Sequence, residues 1–159
     1  MAGRARRGSM STLRSPLADY VATRELHETR ANHLAIVEAD IAAFWADPRP
    51  SPAAVSTPEE IARVRRLTRL MAERGAVVVV EQQAYDALVT AIERLVASLP
   101  AGEPHDSAGR LLDAWPAERA SLEAMDAGAS TIDTAHRAMI AAVRGLLDPL
   151  AEQRSPFTA

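Results

Sequence analysis

Apolar side chains return every three or four residues along most of this chain, the period of an α-helix with one buried face. Ser15 and Pro16 provide an N-cap followed by proline at the first helical position. The helix they open reads Leu17, Tyr20 and Val21, then Leu34, Val37, Ile41, Phe44 and Trp45. Asp47-Pro48-Arg49-Pro50-Ser51-Pro52 cannot continue it, so it ends near Ala46. Between the two apolar ends, Arg24 to His33 is mostly polar, and this helix alone gives no reason for the gap.

Thr57-Pro58-Glu59-Glu60 is the strongest start signal: an N-cap threonine, a proline, and a glutamate placed to close a capping box. Beyond it, Thr57, Val64, Met71, Val78, Tyr85, Ile92 and Leu99 stand seven apart, and Glu60, Leu67, Arg74, Glu81, Leu88 and Leu95 follow the same rhythm three residues on. The phase passes through Gly75 without a slip, which predicts one coiled-coil-like helix from Pro58 to about Leu99, about 63 Å long at 1.5 Å per residue. A break at Gly75 is the competing reading, since glycine commonly ends helices. Val77–Val80 has strand propensity, but no other segment reads as a partner strand.

Pro100-Ala101-Gly102-Glu103-Pro104 is a stop. A third helix is expected from about Ser107, carrying Leu111, Leu112, Trp115, Leu122 and Met125, with a kink or short interruption at Pro116. The last starts near Ser130 or Thr131 and carries Ile132, Met139, Val143, Leu146 and Leu150. The expected fold is therefore all-α: a bundle of four main helices dominated by a long antiparallel hairpin over residues 16–99, with a shorter pair over 107–152 packed on one end. Residues 1–14 read as a flexible basic tail, 15–153 as a single helical-bundle domain, and 154–159 as a C-terminal tail. Tyr85, Leu88, Ile92, Leu95 and Leu99 are the expected core.

An antiparallel hairpin with Ala46 level with Pro58 brings the polar centres of its helices together. Arg24 then falls near Glu81, Glu28 near Arg74, and Thr29 near Gly75, where a glycine would allow close backbone approach. Such a polar layer weakens an apolar seam but can fix its register. The alternative is that Arg74 and Glu81 simply face water.

Composition narrows the chemistry. The 159 residues include no cysteine and no lysine, so disulfides, thiolate metal sites, Schiff-base lysines and P-loop lysines are excluded. Net charge is -3, but unevenly spread: residues 1–79 hold 12 arginines against nine acids, and residues 80–159 hold six against 12. Arg63, Arg66 and Arg69 on the second helix are the candidate anion contacts, although Glu59 and Glu73 stand one turn from Arg63 and Arg69. No apolar stretch approaches the ~20 residues that span a bilayer, and cytoplasmic residence is the default expectation.

His27 and His33, six residues apart, cannot chelate one ion from a single helix face. Asp133-Thr134-Ala135-His136 is a lone carboxylate–histidine pair, where a di-metal bundle needs two. Ala135-His136-Arg137-Ala138 resembles a histidine phosphotransfer site, a resemblance that implies phosphorelay at His136. Met139 and Ile140 stand where such domains carry lysine and glycine. Residues 76–88 resemble the strand-then-helix core of prevent-host-death antitoxins, which would imply a strand over the valine run.

No nucleophile elbow, phosphate loop or His-Glu-x-x-His is present. A hairpin this long exposes more apolar surface than two short helices can cover. The expected function is a non-catalytic protein–protein interaction or assembly module, self-associating as a homo-oligomer, most simply a dimer, through Val64, Leu67, Met71 and Val78, with no cofactor and no membrane partner. The alternatives are a regulator contacting nucleic acid through the arginine face, or a phosphorelay or metal-dependent helical-bundle enzyme.

Overall fold

A computed structural model describes residues 15–47 and 57–153; the expected tails (1–14 and 154–159) and the proline-rich segment 48–56 lie outside them. The described residues form four helices and no strand: α1 (Pro16–Ala46), α2 (Pro58–Ser98), α3 (His105–Ala124) and α4 (Ala129–Glu152). The caps of α1 and α2 are those their sequences specify, whereas α3 and α4 begin slightly before the expected Ser107 and Ser130, at His105 and Ala129, without a side-chain cap. The Ser15 hydroxyl accepts from the Ala18 amide. Thr57 and Glu60 close the capping box reciprocally. At the end of α3, Asp126 takes the left-handed conformation (φ 59°), while Ala127 and Asp126 donate back to Leu122 and Glu123, a Schellman closure.

The helix α2 runs unbroken through Gly75 for 41 residues. The valine run lies within it, with Val77 buried against α1, so packing overrides strand propensity and the strand implied by the antitoxin resemblance is not formed. Gly75 does not serve close approach: it is exposed, and a Cβ built there meets nothing within 4 Å. α3 also passes through Pro116 without interruption, because Pro116 is exposed and forfeits only one ladder bond.

α1 and α2 form the expected antiparallel hairpin, but their register differs from the expected one by about a helical turn. Glu81 meets His27 where Arg24 was expected, and Arg63 donates to the carbonyls of Phe44 and Asp47. The start of α2 therefore projects past the end of α1, whereas the expectation had set Ala46 level with Pro58. A sequence period fixes which face is apolar and leaves this axial offset free.

The α3–α4 pair covers only one end of the hairpin. Tyr85, Leu88, Ile92, Leu95 and Val96 of α2 pack there with Tyr20, Ala108, Ile140, Val143 and Leu147, and Leu99 is partly buried beside them. α4 lies parallel to α2: Arg137 contacts Gln82, 55 residues earlier, and Leu150 shares a cavity wall with Leu95 and Leu99. By that offset, Ala129 stands level with about Arg74. Pro58 to Arg74 thus forms, with the matching end of α1, a two-helix arm about 25 Å long that α4 does not cover. Among the described residues, no helix is long and apolar enough to cross a membrane.

Since Gly75 is solvent-facing mid-helix with space around it, Gly75→Ala should stabilise the chain by about 1 kcal/mol in urea titration. An unchanged or lowered midpoint would contradict the continuous helix.

Candidate functional site

The polar centre of α1 faces the polar face of α4, and the two build a partly buried ionic seam with α2. At its centre is Glu81, 5% exposed amid the bundle. Arg137 binds this carboxylate with both terminal nitrogens, at 2.6 and 3.1 Å, and also donates to Gln82 (2.9 Å) and Asp133 (2.9 Å). The guanidinium lies 4.2 Å from the Tyr85 ring centroid, so its face is covered as well as its edge. His27 adds a third contact from α1, its Nε2 3.1 Å from the carboxylate. Its Nδ1 is buried without a hydrogen-bond partner.

Burial pushes the Glu81 carboxyl up, but the Arg137 hydrogen bonds and charge, with those of His27, outweigh it and leave the group below its ordinary 4.5. Arg137 is held still more firmly protonated, first by its bond to Glu81. Tyr85 is pushed up to about 12, chiefly by burial, and keeps its proton. That hydroxyl is 3.0 Å from Nδ1 of His136, whose ring packs on Trp115 at 4.7 Å between centroids. Burial holds His136 below its ordinary 6.5, which favours a neutral ring whose Nδ1 accepts a hydrogen bond from the Tyr85 hydroxyl.

Two and three turns further along α4 the seam repeats with other partners. Arg144 donates to Glu28 at 2.6 Å. Asp148 accepts from Arg24 at 2.9 Å and from the Tyr20 hydroxyl. Burial, then the Asp148 bond, raises the Tyr20 pKa well above that of free tyrosine, and Asp148 lies below its ordinary 3.8 because Tyr20 and Arg24 outweigh its own burial.

The four residues expected to form one layer are thus divided among several partners. Glu81 pairs with Arg137 and His27, Arg24 with Asp148, and Glu28 with Arg144. Arg74 instead pairs with Glu38, out on the arm, at 3.1 Å. The register shift and α4's position cause this: α4 lies against the polar centre of α1 and takes Arg24 and Glu28, while the shift brings Glu38 within reach of Arg74. The seam's α4 members, Arg137, Arg144 and Asp148, were not picked out from the sequence. A signal existed: Arg137 and Arg144 stand seven apart, directly beside Ile140 and Leu147 at the same spacing.

Arg63, expected as an anion contact, is committed to α1 through two carbonyls, the Asp47 carboxylate and the Phe44 ring. Arg66 and Arg69 are exposed and make no ion pair among the described residues. Of the expected association residues, Val64 is 63% and Met71 49% exposed, while Leu67 and Val78 are half-buried. Val78 lines an open groove of about 390 Å³ with Ala31, Leu34, Glu38, Arg74 and Arg137, between the arm and the start of α4. His136, occupied by Tyr85 and Trp115, sits within the bundle wall, and its environment gives phosphorelay no support.

No family model, curated protein or solved structure matches the chain.

Removing Glu81 leaves the Arg137 guanidinium without its main partner. Glu81→Ala should destabilise the fold by about 2–3 kcal/mol in chemical denaturation, more than Glu38→Ala at the exposed Arg74 pair, which should cost under about 1 kcal/mol. Both Glu81 and Asp148 titrate lower in the fold than in the unfolded chain. Their contribution is complete at neutral pH and is lost as pH falls from the ordinary carboxylate range through the folded values. Melting temperature should drop on acidification below about pH 4.5, with a shallower slope in Glu81→Gln.

Proposed function

We propose that the chain is a non-catalytic helical assembly module that associates with a second copy of itself through the outer arm of its hairpin. One observation carries this reading: the arm displays heptad-spaced Val64 and Met71, 63% and 49% exposed and covered by no third helix among the described residues, and half-buried Val78 continues their line at the arm's base. Two helices bury one face each against the other, and the remaining apolar side chains stay in water unless a further helix is laid over them. Trp45, half exposed at the far end of α1, enlarges the same apolar end. A second copy carries the same stripe, and a symmetric pair of arms makes four helices, the arrangement the inner end already has.

The seam has a part in this reading. Its charges lie mostly between helices of one chain and are neutralised there, so they hold α4 in place and leave association to the apolar arm. A second reading, anion binding, is favoured by Arg66 and Arg69, which stay exposed and unpaired next to the stripe.

Light scattering of the purified chain should give twice the monomer mass. Val64→Glu combined with Met71→Glu should return it to the monomer while the circular dichroism spectrum stays helical. A wild-type monomer at every concentration, or an unaffected dimer in the variant, would refute the reading. Duplex DNA binding that weakens steeply with salt and with Arg66→Ala would support anion contact instead.

A further inference from the structure

The open length of the arm, and what lies at its base, specify how two copies would meet. Granting the self-association reading, we infer that the arms pair antiparallel about a two-fold axis, each arm lying in the groove that continues the line of the partner's α4.

Three observations support this arrangement. The first is continuity. At the inner end, α4 packs over the α1–α2 hairpin through Ile140, Val143 and Leu147 and is anchored at Glu81 by Arg137. The groove holding Val78, Ala31, Leu34 and Glu38 begins where α4 begins, since Asp133 and Arg137 form part of its wall. Met71 and Val64 extend the Val78 line at seven-residue steps, so the surface on which α4 rests continues outward as an uncovered stripe.

The second is length. The uncovered stretch of α2 runs from Pro58 to about Arg74 and stops against the end of α4. An antiparallel partner fills the stretch completely: its own Pro58 comes level with Arg74, and its arm ends where α4 starts. The two-fold axis then passes beside residue 66, between Val64 and Leu67. A parallel pair would place the α3–α4 ends of both copies side by side and would set no arm end against the start of the partner's α4.

Charge is the third. The outer end of the arm is acidic among the described residues: Asp47, Glu59 and Glu60 lie there against Arg63. Opposite it, in the antiparallel arrangement, is the N-terminus of the partner's α4. That helix is capped by Gly128, has no acidic residue in its first turn, and receives no side-chain bond on its first amides. An acidic arm end against this positive helix pole is favourable, whereas a parallel pair sets acid against acid.

The chain has no cysteine, so single-cysteine variants report on this geometry without background. Val64→Cys places two thiols next to the axis, offset by about 6 Å along the arms, and a short bis-maleimide should link two chains in high yield. Val78→Cys places them about 36 Å apart and should not cross-link. Cross-linking at both positions would mean parallel arms. Cross-linking at Val78 only, or at neither in a preparation that light scattering shows to be dimeric, would mean another interface. Each of these results overturns the antiparallel arrangement while leaving self-association standing. A monomeric preparation overturns the self-association reading itself.

Discussion

The structure depends on keeping one carboxylate ionised inside a helical bundle. Glu81 is nearly inaccessible and sits at a position whose neighbours on α2 are apolar core residues. An isolated ion there would cost several kcal/mol, so the fold is tenable only with the Arg137 fork and His27 in place. Those partners come from two other helices. Glu81 therefore acts as a registration point: the hairpin and α4 can be assembled in one axial offset, because slipping either helix by a turn leaves the charge buried and bare.

The same requirement explains the odd character of α1. A helix with apolar ends and a polar middle is a poor amphipathic helix by itself. The middle is polar because it meets the polar side of α4: Arg24 reaches Asp148, Glu28 reaches Arg144, and His27 reaches Glu81. Below these contacts Tyr20 returns to the core, and above them Val37 and Phe44 take over against α2. The polar stretch thus marks the end of the four-helix section and the beginning of the two-helix arm.

That division also separates two tasks. The inner end obtains specificity from ions and stability from a core of Leu88, Ile92, Ile140, Val143 and Leu147. The outer end has few buried side chains, chiefly Val37 and Phe44, and is tied by Arg63 clasped to Phe44 and Asp47. A long helix extending beyond its own bundle is an economical way to present apolar surface, since the continuous backbone of α2 carries the register of the core out to the arm.

Much of this was fixed by local chemistry and so could be read along the chain. Prolines and the Ser15 and Thr57 caps delimit the first two helices, and the unbroken heptad phase determined that α2 passes through Gly75. The core of Tyr85, Leu88, Ile92 and Leu95 followed from the same phase. Pairing of charges did not. Periodicity states which side of a helix is wet or dry, but an ion pair depends also on axial offset and on which third helix arrives. Arg74 and Glu81 look equivalent along α2, seven residues apart on one face. Only the position of α4, with Arg137 level with Glu81, buries one of them in the bundle and leaves the other paired with Glu38 on the surface.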